Sequence, residues 1–536
     1  MSIISIGVSG LSAAQIALST SSNNTTNAYT EGYTLQVATF SEATSGSGVQ
    51  VSSVERQYNQ FVTTQLNSSI SAESALSTYQ TEVDQVDSLL ADGDASLDTL
   101  LQSFFSAIQT LTSDASDTAA REEVIGAAET LTSQFTQLGS YLDEMADDVN
   151  SQIDDQVTQV NDLTEQIADL NKKIGLADAL GTTSNDLLDQ RDLLVSQLSE
   201  LVDVDVTIQD NGSYSVSLSN GLALVAGNDS FELQTSVSAS DPTQTVVAYV
   251  DAAGNTTVLD DSTFEGGALG GLMEFRDTTL TETQNQLGIL AVSLTQALNT
   301  LQEAGIDLNG DTGTAFFSVD DPSIYGNTNN TGDATLTATF TDDVSELSAS
   351  DYTVSYSDTD GYTVTRNDTG ASVEATYDSG ANTLTFAGMS VAISGTADDG
   401  DSFLVLPTRN AASSFSTLIS DGSLIAAGTS TGSSDNTNAL AMLDLQTDSI
   451  VGGTSTLSQT YSTLVSDVGS TASKVAGQLE TQSSLTEQLT TLQQSESGVN
   501  IDEEAANLIV YQQYYQACAK VVEVGTTLLD TILDIS

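Results

Sequence analysis

Histidine and tryptophan are missing from this chain altogether, and it holds one cysteine, three prolines and ten basic residues. Without histidine, Ser-His-Asp and Cys-His nucleophiles and every imidazole metal site are excluded. The single cysteine, Cys518, rules out a cysteine metal cluster and an intrachain disulfide, and leaves at most one bridge between chains. Stability must then come from packing and assembly. The prolines (Pro242, Pro322 and Pro407) lie away from both ends, so long helices are free to form there.

No run approaches the ~18 consecutive apolar residues of a membrane span. The opening MSIISIGVSGLSAAQ has no Lys or Arg, whereas a cleavable secretory leader starts with a basic stretch. A soluble chain without leader, lipid anchor or membrane insertion is expected. Against ten basic residues stand 74 acidic ones, a formal charge of -64. Nucleic acid and anionic membrane would be repelled, because binding them rests on Lys and Arg. Such charge opposes compaction at low salt and is relieved by screening, which points to a salt-adapted source, the alternative being an ordinary acidic surface protein.

The 536 residues are enough for several domains. From Ile4, a four-three alternation runs through Val8, Leu11, Gln15, Leu18, Ser22 and Thr25, the spacing of a coiled-coil seam, and Asn27 to Tyr33 break it. A stronger seam keeps the same alternation through Leu142, Ala146, Val149, Ile153, Gln156, Val160, Leu163, Ile167, Leu170 and Ile174, and Gly175 should end it. A second helix from Asn185, with Leu187, Leu194, Leu198 and Leu201, would complete an antiparallel hairpin.

The period then changes to two. Val204, Val206 and Ile208 alternate with polar residues, Asp210-Asn211-Gly212 turns the chain, and Tyr214, Val216 and Leu218 alternate back. Helical spacing returns over 272–301, and a second β-rich region over about 334–406. The stretch 424–438 is rich in Gly, Ser and Thr and reads as a flexible linker. Asn500 can cap a last helix, with Glu503 bonding back to the cap. From there Ile501, Ala505, Leu508, Gln512, Tyr515, Ala519, Val522, Thr526, Leu529 and Leu533 hold one seam, on a helix of about 32 residues and about 48 Å. So long a stripe needs a partner helix.

Other patterns point to no chemistry. Asp307-Leu-Asn309-Gly-Asp311 starts like a calcium loop, but Thr312 and Ser318 stand where the loop needs Gly and Glu. Gly266, Gly267, Gly270 and Gly271 lack the Lys-Ser/Thr of a phosphate loop and read as close packing. No cofactor, metal or catalytic residue is expected.

Both ends resemble a specific family. Gly10-Leu11-Ser12-Ala13-Ala14-Gln15 with Ala17-Leu18, then Ser22 to Ala28 (including Asn24 and Asn27) and Gly32-Tyr33, is similar to the N-terminal motif of flagellar rod, hook and hook-associated proteins. Ser497 to Leu508 (including Asn500, Glu503, Glu504, Ala505 and Asn507), then Tyr511-Gln512-Gln513 and Tyr515-Gln516-Ala517, resembles the matching C-terminal motif. Inside the chain, Asn185-Asp-Leu-Leu-Asp-Gln-Arg-Asp192, Gly270-Gly271-Leu272 with Phe275-Arg276-Asp277, Asp307-Leu-Asn-Gly310 with Phe316-Phe317, and Gly400-Asp-Ser-Phe403 running on to Pro407-Thr-Arg409 resemble the hook-associated protein 1 (FlgK) family. The chain departs at Asn23, Glu31 and Leu35, where the family usually has His, Pro and Arg, and at Val510, where it often has Arg. Lys520 remains.

The resemblance implies a multidomain α+β protein: terminal helices forming a coiled-coil core, a helical-bundle domain, and outer antiparallel β-rich domains. The expected division is 1–40 for the N-terminal core helix and motif, 41–202 helical with the long hairpin, 203–265 β-rich, 266–325 a return helical segment, 326–410 an outer β-rich domain, 411–495 linker and helix, and 496–536 the C-terminal core helix. It further implies a non-enzymatic adaptor at the hook-filament junction, secreted through the flagellar type III channel. Its partners would be further copies of itself in a ring, the hook protein, the second junction protein and an export chaperone. Assembly residues would be Val8, Leu11, Gln15, Leu18, Asn24, Asn27, Gly32 and Tyr33 at one end. At the other they would be Asn500, Glu503, Glu504, Ala505, Asn507, Leu508, Tyr511, Gln512, Tyr515, Lys520, Val522, Leu529 and Leu533. The rival readings are another axial protein, such as the second junction protein or a flagellin, and a secreted adhesin with a helical stalk.

Overall fold

The computed structural model describes residues 3–43, 48–91, 96–182, 184–432 and 434–535. The helices among them are α1 (Ile3–Asn27), α2 (Gln60–Leu90), α3 (Leu97–Ser113), α4 (Thr118–Ala179), α5 (Asn185–Leu201), α6 (Gly267–Phe275), α7 (Thr281–Ala304), α8 (Thr437–Asp444), α9 (Leu457–Ser497) and α10 (Ile501–Ile535). By length and composition alone α1 would suffice to cross a membrane, with a mean hydropathy of 1.5 over its best window. It is instead laid along α10, and residues from α2 to α9 build a helical bundle carrying β-modules.

α4 is the spine, 62 residues and about 93 Å long. The Asp117 carboxylate caps it by accepting from the Ala119 amide at 2.8 Å. Its buried stripe runs from Val124 through Phe135, Leu142, Val149, Ile153, Val160 and Ile167 to Ile174. The helix does not stop at Gly175 but continues to Ala179, because a single glycine costs a helix only about 1 kcal/mol and no proline follows. α5 returns antiparallel to it from Asn185, as the spacing of its leucines predicts. Around α4 the core is aromatic: Phe316 and Phe317 stack edge-on at 4.7 Å, Phe104 joins them, and Phe135 meets Phe415 at 5.1 Å. The bare helix α6 packs close against α2 and the end of α5 through Gly271 and Gly267, the packing role read from the glycine cluster.

All paired strands among the described residues are antiparallel. β1 (Gln36–Glu42) and β2 (Val49–Arg56) make a hairpin against α1, with Phe40 reaching Tyr511 of α10. The sequence reading had no strand there, and its boundary at residue 40 cuts through β1. β3 (Val204–Ile208) and β4 (Tyr214–Leu218) pair around the turn at Gly212, whose φ is +76°, as predicted. They lead a four-stranded sheet, and a three-stranded sheet over 233–258 follows. The outer module is a sandwich of a five-stranded and a four-stranded sheet within 323–406. Val354, Val364 and Val405 of one sheet face Leu384, Met389 and Val391 of the other across a buried core, with Tyr352 edge-on to Phe386 at 5.6 Å.

The stretch 424–438 is not a free linker. Ile425, Ala426 and Ala427 are buried, and the Gln302 side chain bonds both the Leu424 carbonyl and the Ala426 amide. Small apolar residues allow this segment to be inlaid between α7 and α4, which the glycine and serine content hides. The Asp307 carboxylate accepts from the Asn309 and Asp311 amides, so that loop is closed by its own side chain.

Candidate assembly interface

Helices from opposite ends of the chain meet at the base of the molecule. α1 has no charged residue, and its buried face is made of small ones: Gly7, Gly10, Ala13, Ala14, Ala17, Thr20, Ser21 and Asn24. α10 runs antiparallel along that face. A Cβ added to Gly7 would lie 2.8 Å from Val522, and one added to Gly525 2.7 Å from Ile4. At the other end Ser21 Oγ donates to the Glu504 carbonyl at 3.2 Å. Missing side chains let the two backbones approach closely.

The seam therefore keeps the expected three-four spacing but lies one position away from the expected residues on α1. Gly7, Gly10, Ala14, Ala17, Ser21 and Asn24 form it. Val8 is 51% exposed, Gln15 is exposed, and Leu11 and Leu18 are half-buried at its flanks. On α10, Glu504 is buried and Ile501, Leu508, Tyr511, Cys518, Val522 and Gly525 are the other covered positions, whereas Ala505, Gln512 and Lys520 face outward. Three of the expected stripe positions, Ile501, Leu508 and Val522, are covered on the true one. Phe40 of β1 packs on Tyr511 with ring centroids 6.5 Å apart.

Asn24 is the polar centre of the joint. Its Nδ2 donates to the Gln36 carbonyl at 2.8 Å and to Glu504 Oε2 at 3.2 Å. Its Oδ1 accepts from the Tyr33 hydroxyl at 2.9 Å and the Gln36 amide at 3.1 Å. The carboxamide thus uses its whole bonding capacity in a buried site, where any unmade bond is expensive. Asn507 donates to the other Glu504 oxygen at 3.0 Å. Burial raises the Tyr33 hydroxyl pKa to about 12, with Asp186, Asp189 and Glu504 adding to it, so the phenol stays a donor. Asn500 caps α10 by accepting from the Asp502 and Glu503 amides at 3.0 and 3.4 Å, while Glu503 itself is exposed. Asn27 bonds its own helix at Asn23. Gly32, at φ +75°, turns the chain against Leu193.

The start of α5 latches this base to the bundle. Asn185 donates to the Val54 carbonyl at 2.9 Å, and Gln36 donates to Asp186 at 3.3 Å. Asp189 accepts from Thr34 Oγ1 at 2.6 Å and, with Asp192, from Arg56 at 3.1 and 2.5 Å. Arg191 is fully buried, stacked 3.4 Å over the Tyr214 ring and bonded to Asn171. Spacing alone could not reveal the contacts to Thr34, Val54 and Arg56, which lie 130 or more residues away in the chain.

Past Gly525 the last ten residues of α10 run about 15 Å beyond Ile3, the first described residue of α1. Leu528, Leu529 and Ile532 are exposed on it, as is Leu533. Leu529 continues the Val522–Gly525 stripe and is 45% exposed; Leu11 and Leu18 lie well back along α1 and do not meet it within the chain. Ile6, Val8 and Ile16 of α1, with Ile509, Val510, Val521 and Val524 of α10, extend the exposed apolar surface. Tyr515 is exposed as well. Contiguous exposed apolar surface of this kind is characteristic of interaction sites.

Known proteins resemble this chain from end to end. Residues 83–317 match the model of the flagellar hook-associated protein FlgK helical domain, and residues 325–407 the D2-like domain of flagellar hook-associated protein 1. Residues 4–34 match the flagella basal body rod protein model, and 493–535 the C-terminal model of the flagellar basal body rod FlgEFG proteins. The chain is similar to flagellar hook-associated protein 1 of Salmonella typhimurium, at 40% identity over the whole of both chains, and to that of Escherichia coli K12 at 38% over the whole of both. The solved structure of the flagellar hook junction protein FlgK from Burkholderia pseudomallei superposes with a TM-score of 0.75 at 33% identity, over 81% of this chain and all of that one. The chain belongs to the flagellar hook-associated protein 1 (FlgK) family.

Proposed function

We propose that this chain is a structural adaptor joining hook to filament in a bacterial flagellum, acting as a ring of identical subunits and not as an enzyme. The observation that carries the reading is the exposed apolar overhang and open face of the terminal helix pair. Such a pair is half of a wall, completed when neighbouring pairs cover it. The bundle then holds that pair at a fixed angle through Asn24, Glu504 and the α5 latch. Hook protein on one side and the second junction protein on the other are the partners this surface would meet.

Delivery would be through the flagellar type III channel, escorted by an export chaperone. A single cysteine means that no intrachain disulfide prevents threading of an unfolded chain. A salt-adapted source is part of the same reading. Each of the six arginines is committed to a carboxylate or carbonyl of its own chain, Arg121 for instance to the Gly422 and Ile425 carbonyls. Almost all the charge that remains to face solvent is acidic. Deleting the gene and viewing the flagella by negative-stain microscopy tests the function: bare hooks without filaments support it, and full filaments refute it.

A further inference from the structure

We infer that the tip of the α4–α5 hairpin, residues 172–181, is a docking surface for a second copy of this chain, pairing two lysines and two leucines with a carboxylate-rimmed face of the neighbour. Leu176 and Leu180 are 62% and 70% exposed, and four residues apart they share one face of the helix end. Lys172 lies four residues before Leu176 on that same face, with Lys173 beside it, and both are exposed. Lys173 lies 3.9 Å from Asp169, but both partners are more than 60% exposed, so that pair holds little. Gly175 and Gly181 have open space around them, as expected of a projecting tip.

The partner follows from charge. Two copies at -64 each repel wherever carboxylate meets carboxylate, so a contact between copies needs cations on one side. The arginines are used internally, and the remaining lysines, Lys474 and Lys520, stand singly on α9 and α10. Only the tip presents two adjacent lysines, and beside the exposed Asp169 and Asp178 it adds apolar surface to them. Carboxylates to receive them are everywhere on a neighbour, so the leucines supply the selectivity.

Position supports the same partner. The tip lies just beyond Asn185 and Asp186, which are bonded to the β1–β2 hairpin, so it projects at the level of the terminal helix pair. In a ring that is where the next subunit stands. The contact is heterologous, tip to a different face, the kind that closes a ring.

This inference rests on the ring reading above, and one experiment separates the two. A photoreactive residue replaces Leu176 in the full-length chain, in flagellated cells, and irradiated hook tips are probed for the chain. A product at twice the chain mass is expected. Lys172→Glu with Lys173→Glu should lower its yield roughly tenfold, and Lys172→Arg with Lys173→Arg should restore it, with the thermal midpoint of the subunit unchanged throughout. A product with a different axial protein, or no product from normally assembled flagella, overturns the docking surface. Absence of the unmodified chain from hook tips overturns the ring reading itself.

Discussion

Gly10 lies so close beneath Cys518 that a Cβ on the glycine would come within 2.5 Å of the cysteine sulfur. The free cysteine is therefore a packing residue of the helix pair, and the pair is closed by the absence of side chains as much as by their presence. Small residues along such a seam bury less apolar area apiece than leucines would.

The first prediction uses that contact. Gly10→Ala gains up to about 1 kcal/mol of helix propensity, but overpacking typically costs about 1–3 kcal/mol, so the pair should open. Hydrogen exchange in α10 should speed up while that in 142–174 stays the same. Gly126→Ala in α4 is the control, since nothing lies within 4 Å of its Cβ position, and it should raise the melting midpoint. Unchanged exchange in α10 for Gly10→Ala would show that the seam has slack.

The spacing of the terminal helices was legible, yet the register on α1 was not. A search for large apolar residues selects Val8, Leu11 and Leu18, whereas close approach selects Gly7, Gly10, Ala14 and Ala17, a small-residue repeat equally present in the sequence. The β3–β4 hairpin was legible because its turn chemistry is local. The β1–β2 hairpin was missed because its strands are rich in Ser, Thr and Gln and one face leans on α1. Asp186, Asp189 and Asp192 stood out only as a family motif, since Thr34 and Arg56 come from far away in the chain.

The second prediction concerns the outer module. Arg409 joins Asp241 of the inner β-region, at 2.7 Å, to Asp351 of the outer sandwich, and all three are largely buried. Arg409→Ala would leave two buried carboxylates facing each other, a loss of about 3–5 kcal/mol at this joint. Limited proteolysis should then release a fragment near 323–406 that the parent chain does not yield. Identical digestion patterns would contradict the role given to Arg409.

The third concerns salt and pH. Screening of a net -64 charge should raise the melting midpoint steadily from low to molar NaCl. Burial pushes the Asp261 carboxyl from 3.8 up to about 6 against the opposing pull of Arg276, and burial raises Glu82, Asp143, Asp189 and Asp203 in the same direction. For such acids the folded state holds its proton more tightly than the unfolded chain. The cost of ionising them is complete above about pH 6 and fades as pH falls towards 3.8. Asp343 and Asp421 shift the opposite way through bonds from Ser345 and Ser423, so their contribution is lost below that range. Stability should peak between about pH 4 and 6. A midpoint that is flat in salt, or highest at pH 8, would contradict the electrostatic account.

The central claim is that the terminal pair is completed by other chains, and Leu529 tests it most directly. It continues the seam past the end of α1, exposed in the subunit, and assembly should bury it. Leu529→Asp would place an unpaired carboxylate there at a cost of several kcal/mol, repeated in every subunit. Thr527 lies on the opposite side of the helix, where Thr527→Asp should be tolerated. The measurement is the fraction of hooks bearing filaments in cells carrying each variant, with subunit melting as a check on folding. Bare hooks for Leu529→Asp, filaments for Thr527→Asp and equal melting for both are predicted; filaments on Leu529→Asp hooks, or equal loss in both variants, would contradict the account.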